Sequence, residues 1–378
     1  MQNNTEAKIR IEHIHDLTRL NALQSAWDSI LQQNSVKSIF LTGEWASVWW
    51  KNYGEDKELW LLAAWDEDLL VGIAPLMLIK KRKYGLMFRV LKPLSAPDCD
   101  VSGFLLRDES LHVLNAFCKY ILDQQQLWDV IQLSEFRQDN PQTGFLLEHF
   151  SNASFKTHIT TSQHFYIPIE GDWQTYFDHT PKNLKHDITR RLKRADRLGK
   201  LSLRHVKGRD VTWEDFQTIF QINETGHFTD LYKSTRDQNF HHDLMESMQE
   251  RGWIDIYFLY LDDAPLAFRY GFIYENRFED WRASFNQLHP QLSSGKLLMQ
   301  KTLEDQFNHG YKEFDFLRGT DTYKTRWHPL PREYAAIRLA SMKRFTAWLA
   351  FIGITSLKKW FREKQGKKTE NNLVTEED

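Results

Sequence analysis

The sequence predicts a mixed α/β protein assembled from two similar halves. Strand-like runs with a period of two alternate along the chain with helix-like runs of period near 3.6. The order strand, helices, two or three antiparallel strands, helix, strand occurs twice, as a repeat of architecture and not of residues, at a period near half the chain. Each half also holds a hairpin-like pair around an acidic turn, Asp66-Glu67-Asp68 in the first and Asp262-Asp263 in the second.

In order, residues 8–14 alternate as a strand, and Asp16 caps a helix bearing Leu20, Leu23, Trp27 and Leu31 on one face. A second helix starts at Thr42, with Glu44 in its first turn. Leu59 to Trp65 and Leu69 to Ile79 form the first hairpin, and Gly72 and Pro75 place a bulge or an edge in its second arm. Short strands at 88–91 and 101–106 flank an irregular stretch, 93–98. A helix at 109–124, a strand at 128–133 and a helix at 141–150 complete the half. The second half reads as a strand at 165–169, a short helix opened by Asp172, a long basic helix opened by Pro181, and a strand at 201–206. Helices at 213–228 and 235–249 follow, then the second hairpin at 253–274, a strand at 278–285, a helix at 294–309 and a strand at 313–317. Domains are therefore expected at 1–160 and 161–342, joined at the polar Thr160-Thr161-Ser162, with residues 343–378 as a terminal helix and polar tail.

Composition narrows the function classes. Of 378 residues, 41% are hydrophobic and 26% charged, as in a folded soluble domain. Lys+Arg 49 against Asp+Glu 51 removes any global charge argument for nucleic acid. Cys99 and Cys118 are the only cysteines and have no metal-ligand spacing, which fits a reducing cytoplasm. His227, His241 and His242 lack a ligand pattern, so no metal is expected. The first residues lack the apolar region of a secretory signal, and no apolar run reaches membrane-spanning length. The expected location is cytoplasmic, at most peripheral to the inner membrane. The stretch 345–357, flanked by Lys343-Arg344 and Lys358-Lys359, suits an anionic membrane surface through 343–362, or a closing helix packed on the body.

Three stretches can carry chemistry. In KEFDFLRGTDTYKTRW (312–327), a half-buried strand brings Asp315 to a turn at Arg318-Gly319, followed by Tyr323, Lys324 and Trp327. At Ser294-Gly295-Lys296 a helix begins beside a cation, where free amides suit a pyrophosphate; an ordinary serine cap is the alternative. The helix 182–200 is rich in Lys and Arg, Arg190 and Arg191 among them, and is either a solvated face or a dock for a polyanion.

The motif DFLRGTDTYKTRW (315–327), preceded by SSGKLL (293–298), resembles the C-terminal half of CelD-like acetyltransferases of the GNAT superfamily, often linked to polysaccharide biosynthesis. FLTGEWASVWWKNYG (40–54), LLAAW (61–65) and LVGIAPLML (70–78) are similar to that family's opening. ITRRLKRADRLGKLSLRHV (188–206) resembles the related FemABX-type transferases, which take aminoacyl-tRNA as donor. The resemblance implies two tandem GNAT-like domains, an acyl-CoA donor such as acetyl-CoA, no metal, and a small-molecule or saccharide acceptor bearing an amine or hydroxyl. It implies Asp315 or Asp280 as base, Tyr323 and Lys324 steadying charge, Arg318 and Trp327 (with Arg190 and Arg191) holding substrate, and Ser294, Gly295 and Lys296 holding donor phosphate. The family's glycine-rich pyrophosphate loop is reduced here to a single glycine, Gly295. That departure leaves two alternatives: a FemABX-like aminoacyltransferase using tRNA, or a catalytically silent partner in an envelope-assembly complex.

Overall fold

The structure is a computed structural model that describes residues 9–83, 85–151, 155–226 and 232–341. His227 and the segment 343–362 lie outside the described residues. The first half runs β1 (Arg10–Ile14), α1 (Leu17–Ala22), α2 (Gln24–Gln33), α3 (Gly43–Tyr53), β2 (Lys57–Leu59), β3 (Leu61–Asp66), β4 (Leu69–Ala74), β5 (Leu76–Lys83), β6 (Leu86–Pro93), β7 (Leu105–Leu106), α4 (Leu111–Asp123), β8 (Val130–Arg137) and α5 (Pro141–His149). Asp16 and Thr42 cap α1 and α3 as expected, each accepting from a backbone amide of the first turn. Proline lacks a donor for the ladder, and Pro75 accordingly splits the expected long arm into β4 and β5, which enter different sheets. Near Gly72 the β3–β4 register shifts, the expected bulge.

The chain continues through β9 (Phe155–Pro168), α6 (Trp173–His179), α7 (Lys182–Ala195), β10 (Leu201–Lys207), α8 (Trp213–Glu224), α9 (Thr235–Met248), β11 (Ile254–Leu261), β12 (Ala264–Tyr274), β13 (Arg277–Phe285), α10 (Ser294–His309), β14 (Glu313–Arg318), α11 (Thr322–Thr325) and β15 (Leu330–Ser341). Strands β1, β3, β4 and β7 form a small sheet, while the other strands form one sheet of eleven in the order β10-β11-β12-β13-β14-β9-β15-β8-β6-β5-β2.

That large sheet corrects the expected join. Thr160-Thr161-Ser162 is not a linker but the middle of β9, paired residue by residue with β15. The last strand, β15, crosses back to pair with β8 of the first half. A second correction concerns β14, which is central in the sheet and buried on both faces from Phe314 to Leu317, not half-buried. The expected strand at 101–106 shrinks to β7 and an isolated bridge from Ser102 to Phe136.

The halves share a hydrophobic core. Trp45 of α3, fully buried, meets Phe240 of α9, Phe272 of β12 and Trp281 of β13 edge-on, with ring centroids 5.8, 6.0 and 5.3 Å away. Such pairs add to the burial each ring provides, so the second half's cleft rests on a stiff joint with the first. Among the described residues, no helix is long and apolar enough to cross a membrane.

Candidate functional site

Two strand pairs in the large sheet are parallel, β6 with β8 and β13 with β14. The β13–β14 pairing covers Arg277↔Glu313 to Glu279↔Asp315 only. Beyond it the pairing ends, and two cavities lie along the free end of β13, the second also touching β14.

The first cavity, about 550 Å³, lies against the start of α10 and is lined by Arg269, Phe285, Ser293, Gly295, Lys296 and Trp327. Ser293 precedes the helix with φ +49°, a left-handed conformation uncommon for a residue with a side chain, and its hydroxyl caps no amide. The expected serine cap is therefore absent, and the helix start is available to an anion. A Cβ added at Gly295 would sit 3.0 Å from the Phe285 ring, so glycine keeps this wall open. Ser294 itself is buried. The Lys296 ammonium pairs with Asp187 of α7. Burial opposes ionisation of Asp187, but hydrogen bonds from Lys296, Arg191 and Arg190 hold its carboxyl far below the usual range.

The second cavity, about 580 Å³, is more polar and is lined by Asp100, Asp280, Arg282, Arg318, Asp321 and Lys324. The two cavities share Phe268, Ala283, Ser284 and Tyr323. Tyr323 thus stands at their junction, 41% exposed overall, with its phenol raised above the ordinary range by desolvation. Asp280 is buried, one carboxylate oxygen accepts from Arg269, and the other has no partner among the described residues. Burial raises its pKa above the ordinary range, against the neighbouring guanidinium.

The expected site residues separate. Tyr323, Asp280, Arg318 and Lys324 converge on the second cavity; Gly295, Lys296, Trp327 and again Tyr323 line the first. Asp315 does not join them. Its oxygens accept from Leu317 N at 2.7 Å and from Arg332 Nη1 of β15 at 3.0 Å, in a tight polar cluster with Glu279 and Glu313. Lys324 is only 3% exposed, and its ammonium donates to the carbonyls of Phe316, Arg318 and Gly319 at 3.1, 2.8 and 3.2 Å. It braces the turn after β14, at Gly319 with φ +111°. Arg318 reaches the first half, donating to Pro97 O at 2.8 Å and pairing with Asp100 at 3.1 Å. Trp327 is core and lies on the side of the first cavity.

On α7, Arg190 and Arg191 both contact Asp187, and Arg191 also donates to Gln291 O at 2.8 Å. They line neither cavity. Arg190, Lys193, Arg194 and Arg197 border a separate shallow groove of about 400 Å³.

Arg269, Arg282 and Ser284 were missed from sequence, although a signal existed. Arg269 interrupts an apolar run in β12, and Arg282 and Ser284 follow Asp280 at the strand period of two. For metals, His242, Asp243 and Glu246 come together on α9, but Asp243 already accepts from Lys51 and Asn52 at 2.9 and 2.7 Å. His241 is buried, and burial followed by the nearby Arg282 drives its pKa down to about 3.

Residues 182–325 match the Acetyltransferase (GNAT) domain family. Among solved structures the chain is similar to FemX, at 11% identity and TM-score 0.57, covering 86% of this chain and 96% of that one. It is similar to the C-terminal domain of a putative lysylphosphatidylglycerol synthetase from Agrobacterium fabrum, at 12% identity and TM-score 0.52, covering 89% and 97%. It is also similar to a tandem GNAT protein from the clavulanic acid biosynthesis pathway, at 10% identity and TM-score 0.52, covering 88% and 98%. No curated protein matches the sequence significantly. The fold is thus that of mixed α/β, GNAT-like domains in tandem, and the domain match over residues 182–325 supports an acyltransferase.

Proposed function

We propose that the chain transfers an acyl group from an acyl-CoA such as acetyl-CoA, bound in the first cavity, to an amine or hydroxyl of a saccharide or envelope precursor in the second. The observation that carries this reading is the meeting of two cavities at Tyr323, one beside an uncapped helix start and the other beside a buried carboxylate. The donor's pyrophosphate faces the amides that open α10, with its acyl end toward Tyr323. The acceptor heteroatom attacks the carbonyl carbon, a C–N or C–O bond forms and the C–S bond breaks. Asp280, through its unpartnered oxygen, receives the acceptor's proton directly or through one water. Tyr323, kept protonated, supplies a proton to the departing thiolate. Lys324 and Arg318 hold the turn and the cavity wall in place.

A second reading has its own support in the FemABX-like helix α7 and its groove of Arg190, Lys193, Arg194 and Arg197. There the donor is an aminoacyl ester of RNA, and the groove takes the phosphate backbone. Radiolabelled transfer separates the two. Label passing from acetyl-CoA to an amino-sugar acceptor, and lost in Tyr323→Phe, supports the first; label passing only from charged tRNA, with steep salt dependence, supports the second.

A further inference from the structure

Among the described residues, Arg318 and Lys324 of the second cavity, and Arg269 beside it, have ionic partners, whereas Arg282 has none at close range. Arg269 pairs with Asp280, Arg318 with Asp100 at 3.1 Å, and Lys324 lies 3.9 Å from Asp321. These pairs account for all three carboxylates lining the cavity. Arg282 lies over the Trp281 ring at 4.2 Å, a contact that orients a guanidinium without neutralising it. Among the described residues it has no carboxylate within ion-pair distance, and its one hydrogen bond, to Trp281 O, is long at 3.5 Å. Two more donors in the same wall lack acceptors among the described residues: the indole N–H of Trp281 and the phenol of Tyr232, in residues 7% and 5% exposed. The neighbouring His241 is held neutral and does not share the role. One wall of the cavity thus offers two buried donors and a guanidinium outside any close ion pair, acted on only at longer range by Asp100, while Asp280 on the same strand, two residues away, offers an acceptor.

We infer that the acceptor carries an anionic group, a phosphate or a carboxylate, seated on Arg282, with its nucleophile directed toward Asp280 and Tyr323. This rests on the second cavity being the acceptor site. Planar, paired N–H groups make arginine the side chain suited to either oxyanion.

Calorimetric titration of the full chain with inorganic phosphate, malonate, glucosamine 6-phosphate and glucosamine tests it, with acetyl-CoA titrated in parallel. The expected result is that glucosamine 6-phosphate binds at least tenfold more tightly than glucosamine, and that Arg282→Gln abolishes the difference. Arg282→Lys should restore part of it, and melting curves show whether each variant is folded. Phosphate against malonate decides which oxyanion is preferred. Anion binding to α7 or the start of α10 persists in every variant, so only the Arg282-dependent part counts. Acetyl-CoA binding with no anion preference, or with one that survives Arg282→Gln, overturns the inference while leaving the donor assignment intact. Absence of acetyl-CoA binding counts instead against the acyl-CoA reading.

Discussion

The two parallel strand pairs begin alike and end differently. In the second half, the β13–β14 pairing ends beside an opening reached by a helix start that carries Gly295 and Lys296 and no acidic residue in its first turn. In the first half, β6 and β8 pair only at Val90↔Val130 and Leu91↔Ile131 before that pairing too ends. There the chain itself enters the gap. Leu94 N donates to Pro75 O at 2.9 Å, Ser102 N to Glu135 O at 2.7 Å, and Leu94, Ala96, Cys99, Val101 and Phe104 are all buried. The helix that follows, α4, also starts without a side-chain cap or an acidic residue in its first turn, but Asp108 and Glu109 lie immediately before it and would repel a phosphate. The same arrangement leaves an open cleft in one half and a filled core in the other. The filling segment also supports the open cleft, since Asp100 lines the second cavity and Pro97 O accepts from Arg318.

The comparison sharpens most at Asp280. Asp280→Asn should lower kcat/KM by about 10²–10⁴-fold if this carboxylate takes the acceptor's proton. It also leaves Arg269 without its ion pair, so a melting curve must accompany the kinetics. Phe104→Ala, in the filled half, should do the opposite. The ring is 2% exposed and packs on Phe117 and Phe136 with centroids 5.9 and 5.7 Å away. Its loss should cost about 3–5 kcal/mol in urea unfolding and leave kcat of the folded protein unchanged. A reversed pattern would break the assignment of roles to the halves.

Glu279 tests the joint between them. It accepts from Ser38 Oγ at 3.0 Å and from Ile39 N at 3.1 Å across the interface, and burial pushes its carboxyl up to about 8 from an ordinary value of 4.5. The folded state therefore holds this proton more tightly than the unfolded chain, and stability falls as pH rises from about 4.5 to about 8. Glu279→Gln keeps an oxygen acceptor and should flatten that decline, with a gain on the order of 1–3 kcal/mol at pH 8 and none near pH 4.5. Denaturation curves at the two pH values check it. The smallest effect is expected at the β3–β4 turn of the filled half. Asp66→Asn with Asp68→Asn should leave activity within about twofold; exposed turn charges contribute little.

Much of this was legible where local pattern decides structure. Helix caps, the hairpins, the split at Pro75 and the helix start at Gly295 follow from residue chemistry within a few positions. Asp280 and Tyr323 could be picked out, and the structure brings them to one place. Asp315 could not be placed correctly from its own strand. The partner that ties it down, Arg332, arrives on β15 after the recognised motif has ended, and local periodicity carries no trace of such a pairing. Strand β9 was misread as a join for a similar reason. Its polar KTHITTSQ run is exposed along much of its length, and it is a strand because β15 and β14 flank it. The segment 93–98 was legible as irregular, yet its filling of a cleft depends on β8, more than thirty residues further on.

The central claim is that the chain has one donor site, in the second half. Calorimetric titration with acetyl-CoA measures it directly, on the wild type and on Gly295→Trp, whose side chain would crowd Phe285 and fill the first cavity. One site per chain, abolished by that substitution while the melting temperature holds, is the predicted result. Two sites per chain, or binding that survives Gly295→Trp, would contradict it.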